Sequence, residues 1–335
     1  MTVVDVHSHL YPRVYLDLLR ARTTIPRVTG APDEERFVIF PEEEAEGPTG
    51  GRRFGPEFWD VGEKLAYMDA AGIDRSVVSL GNPWLDPLAP AEGLAAAKIV
   101  NGAFAQLEHD TRGRIVGLGV LPPGEVEAAV GVLNEVAETP TLHGVISGPR
   151  ICGRPLDDPA LDPVWSAFER TGLTLFLHPR DGAAIDDLSG YGHALPLAIG
   201  FPFETTIAVA RLLFGGVLHR FPGLKVLAAH GGGALPFLAA RFDVGWRSDE
   251  VARRRLPVEP SEAVRGLYLD AVVYHPRALA ATADLVGTRQ MAFGSDHPFF
   301  SGSLRQSLAA VRSAFPNGKA ADVLYGTAAE LFGLG

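Results

Sequence analysis

Short apolar, β-branched runs alternate with amphipathic stretches almost from one end of the chain to the other. Eight such runs stand out: Val3–His7, Ser76–Leu80, Ile115–Leu121, Gly144–Ser147, Leu173–His178, Val226–His230, Leu267–Asp270 and Met291–Asp296. Between them, Glu125–Glu138, Pro163–Arg170 and Thr205–His219 return apolar residues every three or four positions and are long enough for crossover helices. This alternation is the signature of βα units and a parallel sheet. Eight units in one chain of 335 residues predict a single domain over 1–335, an α/β fold of the closed (β/α)8 TIM-barrel type rather than an open doubly wound sheet.

One stretch breaks the rhythm. Residues 22–56 are rich in Pro, Gly and acid and include Glu42-Glu43-Glu44. A structureless loop of that length does not suit a compact domain. The segment reads as an insertion after the first strand, with a short hairpin around Phe37–Phe40, lying over the barrel mouth. Its acidic run reads as a solvated face. Arg52 and Arg53, followed by Phe54 and Trp59, end it near the mouth.

Composition narrows the function. With 47% hydrophobic and 21% charged residues the chain has the make-up of a globular protein with a sizeable core. A formal charge of −10 argues against a nucleic-acid partner, and Arg253-Arg254-Arg255 is too short and isolated to overturn that. Cys152 is the single cysteine, so any metal must be held by His and carboxylates, and a reducing compartment fits. The most apolar later stretch, Leu195 to Leu218, is interrupted by Glu204 and Arg211. The expectation is a cytoplasmic protein with no membrane span.

The polar groups that carry chemistry arrive where apolar runs stop. His7 and His9 are two apart in an extended strand and therefore face the same way, the arrangement of a pair of neutral imidazole ligands. Run five ends at His178, run six at His230 before three glycines, and run eight at Asp296. In a barrel, the C-terminal strand ends converge on one mouth, so these residues become neighbours.

The motifs His7-Ser8-His9, Leu177-His178-Pro179, Phe201-Pro202-Phe203-Glu204-Thr205-Thr206, Phe221-Pro222-Gly223-Leu224-Lys225, His230-Gly231-Gly232-Gly233 and Gly294-Ser295-Asp296-His297-Pro298-Phe299 resemble, over nearly the full length, the amidohydrolase-related metal-dependent decarboxylases. The likeness is strongest to the α-amino-β-carboxymuconate-ε-semialdehyde decarboxylase branch. The resemblance implies one divalent ion per chain, usually Zn with Mn as the other candidate, held by His7, His9, His178 and Asp296 with water completing the shell. His230 would stand beside that water as the acid/base. A second metal would need a bridging Lys or Glu at the end of strand four, and His143-Gly144-Val145-Ile146-Ser147-Gly148 offers neither.

The same resemblance implies that Arg52 binds a substrate carboxylate and that Arg241 does so across a homodimer interface, with Arg53 and Arg247 as substitutes. A guanidinium suits that task because its planar fork matches a carboxylate. Where the family has Trp after Leu-Pro, Leu197 follows Leu195-Pro196, which keeps aromatic acids such as hydroxybenzoates in play beside an aminocarboxymuconate semialdehyde.

Other residues have lesser claims. Ser8 faces away from its neighbours and is no nucleophile. His297 lines the pocket rim or supports Asp296 from behind, Asp270 supports a ligand or caps a helix, and Gly231 to Gly233 make room for backbone. His109, His143, His193, His219 and His275 read as surface or core hydrogen-bonding residues.

The chemistry expected is non-oxidative decarboxylation of an unsaturated or aromatic carboxylic acid, using metal-bound water and His230. The alternatives are a hydrolase or hydratase of a lactone or unsaturated diacid on the same scaffold, and a non-catalytic scaffold barrel.

Overall fold

A computed structural model of the chain describes residues 2–31, 34–299, 304–316 and 318–334. Eight strands form one parallel sheet: β1 (Val4–Leu10), β2 (Arg75–Leu80), β3 (Ile115–Val120), β4 (Leu142–Ser147), β5 (Thr174–Leu177), β6 (Lys225–Ala228), β7 (Tyr268–Asp270) and β8 (Met291–Ala292). They pair in chain order, each with the next, as a barrel of successive βα units requires. The barrel closes through the segment after β8: Val6 N donates to Phe293 O (2.9 Å), Asp296 N to His7 O (2.8 Å) and His9 N to His297 O (2.8 Å). Ser8 and His297 form a parallel bridge on the same seam.

The strands sit where the apolar runs are, with differences at their ends. β1 continues three residues beyond His7, so the two histidines lie inside the strand rather than at its end. Buried polar atoms in a strand need partners, and His7 and His9 find them through Nδ1, at Asp270 and Ser79. β8 stops at Ala292 although the apolar run continues, because Phe293 to His297 bond irregularly to β1. The helix expected over Thr205–His219 is two helices, Phe201–Phe214 and Val217–Arg220, broken at Gly215 and Gly216, where Gly216 has φ 69°.

By length and composition, Pro196–Phe214, 19 residues with a mean hydropathy of 1.5, would suffice to cross a membrane. Here Thr205, Ala208, Val209 and Leu212 pack it onto the barrel. Its Glu204 is tied down too, as Oε2 accepts the backbone amides of Arg180 (2.8 Å), Asp181 (3.1 Å) and Gly182 (2.8 Å) in the loop after β5.

Between β1 and β2, the strands Arg27–Thr29, Arg36–Val38 and Arg52–Arg53 make a small antiparallel sheet, with a short helix at Pro41–Ala45. Pro32 and Asp33, within 22–56, lie outside the described residues. Aromatic rings fasten this sheet to the barrel mouth: Phe54 lies 5.1 Å from Tyr11 and stacks on Phe58 at 4.7 Å, and Phe58 meets Phe299 at 5.6 Å. Each buried Phe of this cluster contributes roughly 1.5–3 kcal/mol. The acidic run is not wholly a solvated face. Glu43 turns back to accept from the Ile39 and Phe40 amides and lies 2.5 Å from His193 Nε2, leaving it only 12% exposed.

Candidate active site

His7, His9 and His178 bring their ligand atoms within 4.8 Å of one another, and so do His7, His230 and Asp296. Four different stretches of chain supply them. β1 supplies the first pair, the residue after β5 supplies His178, the turn after β6 supplies His230, and the closing segment supplies Asp296. Both His230 (φ 55°) and Asp296 (φ 60°) hold left-handed backbone, a strained conformation for residues with a Cβ, and it aims both side chains at the same point. Gly233 (φ 67°) follows in the turn after β6, where a Cβ would collide with Pro202 O and the Thr206 hydroxyl.

Hydrogen bonds decide which nitrogen of each ring is free. His178 Nδ1 lies 2.6 Å from Pro179 O, and since a carbonyl only accepts, that nitrogen carries the proton. Ser79 donates its hydroxyl to Ser8 O (3.4 Å), so its oxygen accepts from His9 Nδ1 (3.1 Å). His7 Nδ1 donates to Asp270 Oδ2 at 2.5 Å. All three rings therefore offer Nε2 lone pairs inward, the tautomer that a protein partner on Nδ1 imposes on a metal ligand.

The donor set fits a divalent ion. His7 Nε2 and His9 Nε2 are buried without a hydrogen-bond partner among the described residues. An unmet buried polar atom costs about 1–3 kcal/mol, which a bound cation would offset. Asp296 Oδ1 lies 3.4 Å from each of those nitrogens. A tetrahedron with bonds of about 2.0–2.1 Å has edges of about 3.3 Å, so the spacing suits ligands that share one small divalent ion.

The electrostatics agree. Burial resists charge on His7, yet Asp270 and Asp296 outweigh it and push the imidazole up to about 10. The attraction they exert on that proton is available to a divalent cation. Burial pulls His9 down to about 4 and His178 well below the usual histidine range, so both rings are neutral. Burial opposes ionisation of Asp296, but the charge of His7 and the histidine rings facing it hold it well below the usual carboxylate range.

Above these groups opens a cavity of about 1100 Å³, walled mainly by apolar side chains that include Phe37, Phe201, Val272 and Phe299. Arg52 reaches in from the last insertion strand and lies over the Phe299 ring at 5.3 Å. Among the described residues it has no carboxylate within ion-pair distance. Burial lowers its pKa, with Tyr11, Glu43 and Asp296 pulling the other way. The other cation on the wall, Arg180, is already neutralised by Asp86 and Asp181.

Not every sequence candidate converges here. Arg241 lies on the exposed face of the helix Leu235–Ser248, away from its own cavity. Arg53 is exposed, and Arg247 is held by Glu259 at 2.8 Å through two nitrogens, so neither is a ready substitute. His297 is off the rim, buried behind Asp296 with its ring 3.6 Å from Tyr67. Leu197 does line the cavity, as does His193. Ser79, Lys64 and Asp5 were not singled out by the sequence, because each acts through a partner distant in the chain, and Glu43 was read only as part of a solvated acidic run.

A barrel with imidazoles from β1, β5 and β6 and an aspartate after β8 defines a metal-binding enzyme of the (β/α)8 class. A profile of the amidohydrolase family matches residues 4–334, and the chain belongs to that family. It is 30% identical to the 2-amino-3-carboxymuconate-6-semialdehyde decarboxylase of Dictyostelium discoideum over 84% of this chain and 79% of that one. Among solved structures it resembles the Metarhizium anisopliae protein IDCase in its apo form, with TM-score 0.93 and 35% identity over 99% of this chain and 97% of that one. The 5-carboxyvanillate decarboxylase of Sphingomonas paucimobilis follows, with TM-score 0.82 and 25% identity over 99% of this chain and 98% of that one.

Proposed function

We propose that this chain is a metal-dependent, non-oxidative decarboxylase, a carboxy-lyase acting on an unsaturated or aromatic carboxylic acid. The observation that carries the reading is the convergence of three Nε2 lone pairs and the Asp296 carboxylate beneath an apolar cavity lined by Arg52, which among the described residues has no carboxylate within ion-pair distance. The named relatives are decarboxylases, and nothing in the site favours the hydrolase or hydratase alternative.

In this reading His7, His9, His178 and Asp296 hold one divalent ion. Three nitrogens and one carboxylate oxygen suit Zn better than Mn, which prefers oxygen-rich shells. When bound, the ion supplies Lewis acidity at neutral pH. Arg52 takes a substrate carboxylate in its planar fork and fixes the ring or diene against Phe299. The apolar walls exclude water and strengthen that charge pairing.

When the bond to CO2 breaks, its electron pair stays on the carbon that bore the carboxylate, and a proton must reach that atom. His230 lines the cavity, 12% exposed, with Nε2 3.9 Å from Asp296 Oδ2, and is the group placed to hold and deliver the proton. Leu197 lines the cavity where the resemblance implies a tryptophan, which keeps aromatic acids beside the semialdehyde as substrates.

The active form in this reading is a homodimer. Phe237 (88% exposed) and Val244 on the helix Leu235–Ser248, with Phe203 and Ile207 on Phe201–Phe214, present an apolar outer face beside Arg241. An isologous partner would bury that face and bring Arg241 to the other subunit's substrate. We also read 1–335 as one barrel domain with 22–56 as an insertion at its mouth, working in the cytoplasm, where the free Cys152 is at home.

The test is CO2 release from a panel of amino-muconate, hydroxybenzoate and pyrimidine carboxylates, with chelator-stripped protein as control. Metal-dependent CO2 release with a product one carboxylate shorter is expected. Water incorporation without CO2 would overturn the assignment.

A further inference from the structure

The helix Val61–Ala71 buries a lysine completely. Asp60 caps it, accepting from Glu63 N at 3.0 Å, and one turn in, Lys64 points into the barrel wall with no exposed surface. A buried ammonium is retained only when paired and hydrogen-bonded. Its partners lie on the seam where the barrel closes. Nζ donates to the Ser8 hydroxyl and to His297 Nδ1 (3.0 Å), and Ser8 donates onward to His297 O (3.3 Å).

Ser8 stands between His7 and His9, and His297 follows Asp296. One ammonium therefore touches the neighbours of three of the four proposed ligands. The surroundings reinforce the arrangement. Tyr67, the next turn of the same helix, covers the His297 ring at 3.6 Å. Asp5 accepts from His7 N (3.2 Å), Ser295 N (3.0 Å) and the Ser295 hydroxyl (2.6 Å), tying the same two backbones together from the other side. Asp5 also supplies the negative charge that Lys64 faces.

We propose that Lys64 is a positioning residue for the metal centre: wedged between Ser8 and His297, its ammonium fixes the register in which β1 presents His7 and His9 to the turn that presents Asp296. The proposal rests on reading those residues as ligands. It follows from geometry: backbone bonds between Val6 and Phe293, His7 and Asp296, and His9 and His297 join the two stretches, and Lys64 adds a side-chain bridge between Ser8 and His297 at the point where the ligands are presented. A methionine of similar length would fill the space but could not bridge two acceptors.

The experiment titrates cobalt(II), whose visible bands report coordination geometry, into chelator-stripped wild type, Lys64→Met and Ser8→Ala, with a thermal melt of each metal-free protein. Lys64→Met is expected to bind Co(II) about 10–100-fold more weakly, with altered bands, and to lower kcat while leaving KM nearly unchanged. Ser8→Ala should move the same readouts in the same direction by a smaller factor. A shifted melt with Co(II) affinity and bands like wild type would overturn the proposal and leave Lys64 a core residue. Should Lys64→Met fail to fold, Ser8→Ala decides by the same two readouts. Wild type that takes up no Co(II) would sink the ligand reading itself, and the proposal with it.

Discussion

Asp270 Oδ2 lies 2.5 Å from His7 Nδ1, while its other oxygen accepts the amide of Gly231, the residue after His230, at 2.9 Å. One buried carboxylate thus orients a proposed ligand and anchors the turn that carries the proposed acid/base. Burial alone would raise its pKa, but His7 more than compensates and keeps it below the usual value.

Asp270→Asn removes that charge at little cost in volume. Metal affinity is expected to fall about 10–100-fold, read by competition with a chromophoric chelator. Wild-type affinity would take Asp270 out of the centre.

Elemental analysis of the purified chain should give about one divalent ion, with Zn ahead of Mn. His178→Ala and Asp296→Ala should lose most of it. His230→Ala should keep the ion and lose turnover by a factor on the order of 10² to 10⁴. Two tightly bound ions per chain, or a His230→Ala protein as metal-poor as His178→Ala, would contradict this division of labour.

Arg52→Ala should lower kcat/KM by roughly 10–150-fold, mostly through KM, the equivalent of about 1.5–3 kcal/mol for a charged hydrogen bond. Arg53→Ala, on the same short strand but exposed, should stay close to wild type. Equal effects from both would mean that the surface charge, not the buried fork, binds substrate.

Inactive Arg241→Ala and His178→Ala chains, mixed under exchange, should regain activity, since one site of the mixed dimer keeps its own His178 and receives the partner's Arg241. No recovery in mixtures shown to contain heterodimers, or full activity in a stable monomer, would leave Arg241 an ordinary surface residue.

Glu43 should make stability pH-dependent. Burial pushes this carboxyl up, but the hydrogen bonds from His193 and from the Phe40 and Ile39 amides outweigh it and hold the pKa below its usual value. Its contribution is therefore fully present above the ordinary carboxylate range and is lost as pH falls through the depressed value. The melting-temperature gap between wild type and Glu43→Gln should be widest near pH 7 and close in strong acid. A gap independent of pH would mean that Glu43 acts by packing alone.

The barrel was legible because buried parallel strands leave near-continuous apolar runs such as Val226–His230, and because His178 and His230 interrupt apolar sequence within two residues of a strand end, while Asp296 closes an apolar run that outlasts its strand at Ala292. Asp270 was visible on the same ground, though only the fold tells a supporting residue from a helix cap. The network around Lys64 was hidden. Nothing in the stretch Val61–Ala71 marks Lys64 as buried, and its burial depends on acceptors supplied by β1 and by the closing segment. Glu43 misled for a related reason, since an acidic triplet looks solvated until a histidine from another loop meets one of its members. The start of the helix expected at Thr205 was misplaced, because the wider turn Pro196–Gly200 runs straight into a regular helix at Phe201.

Ser8 and His297, which meet on the closing seam, are 289 positions apart in the chain. The long stretch between them must fold round before the imidazoles of β1 can find the aspartate of the closing segment. Contacts this distant in sequence form slowly, because the loop entropy is spent before the contacts return anything. On the proposed ligand set, an ion would be taken up late in folding, as a seal on a barrel whose closing segment has already met β1.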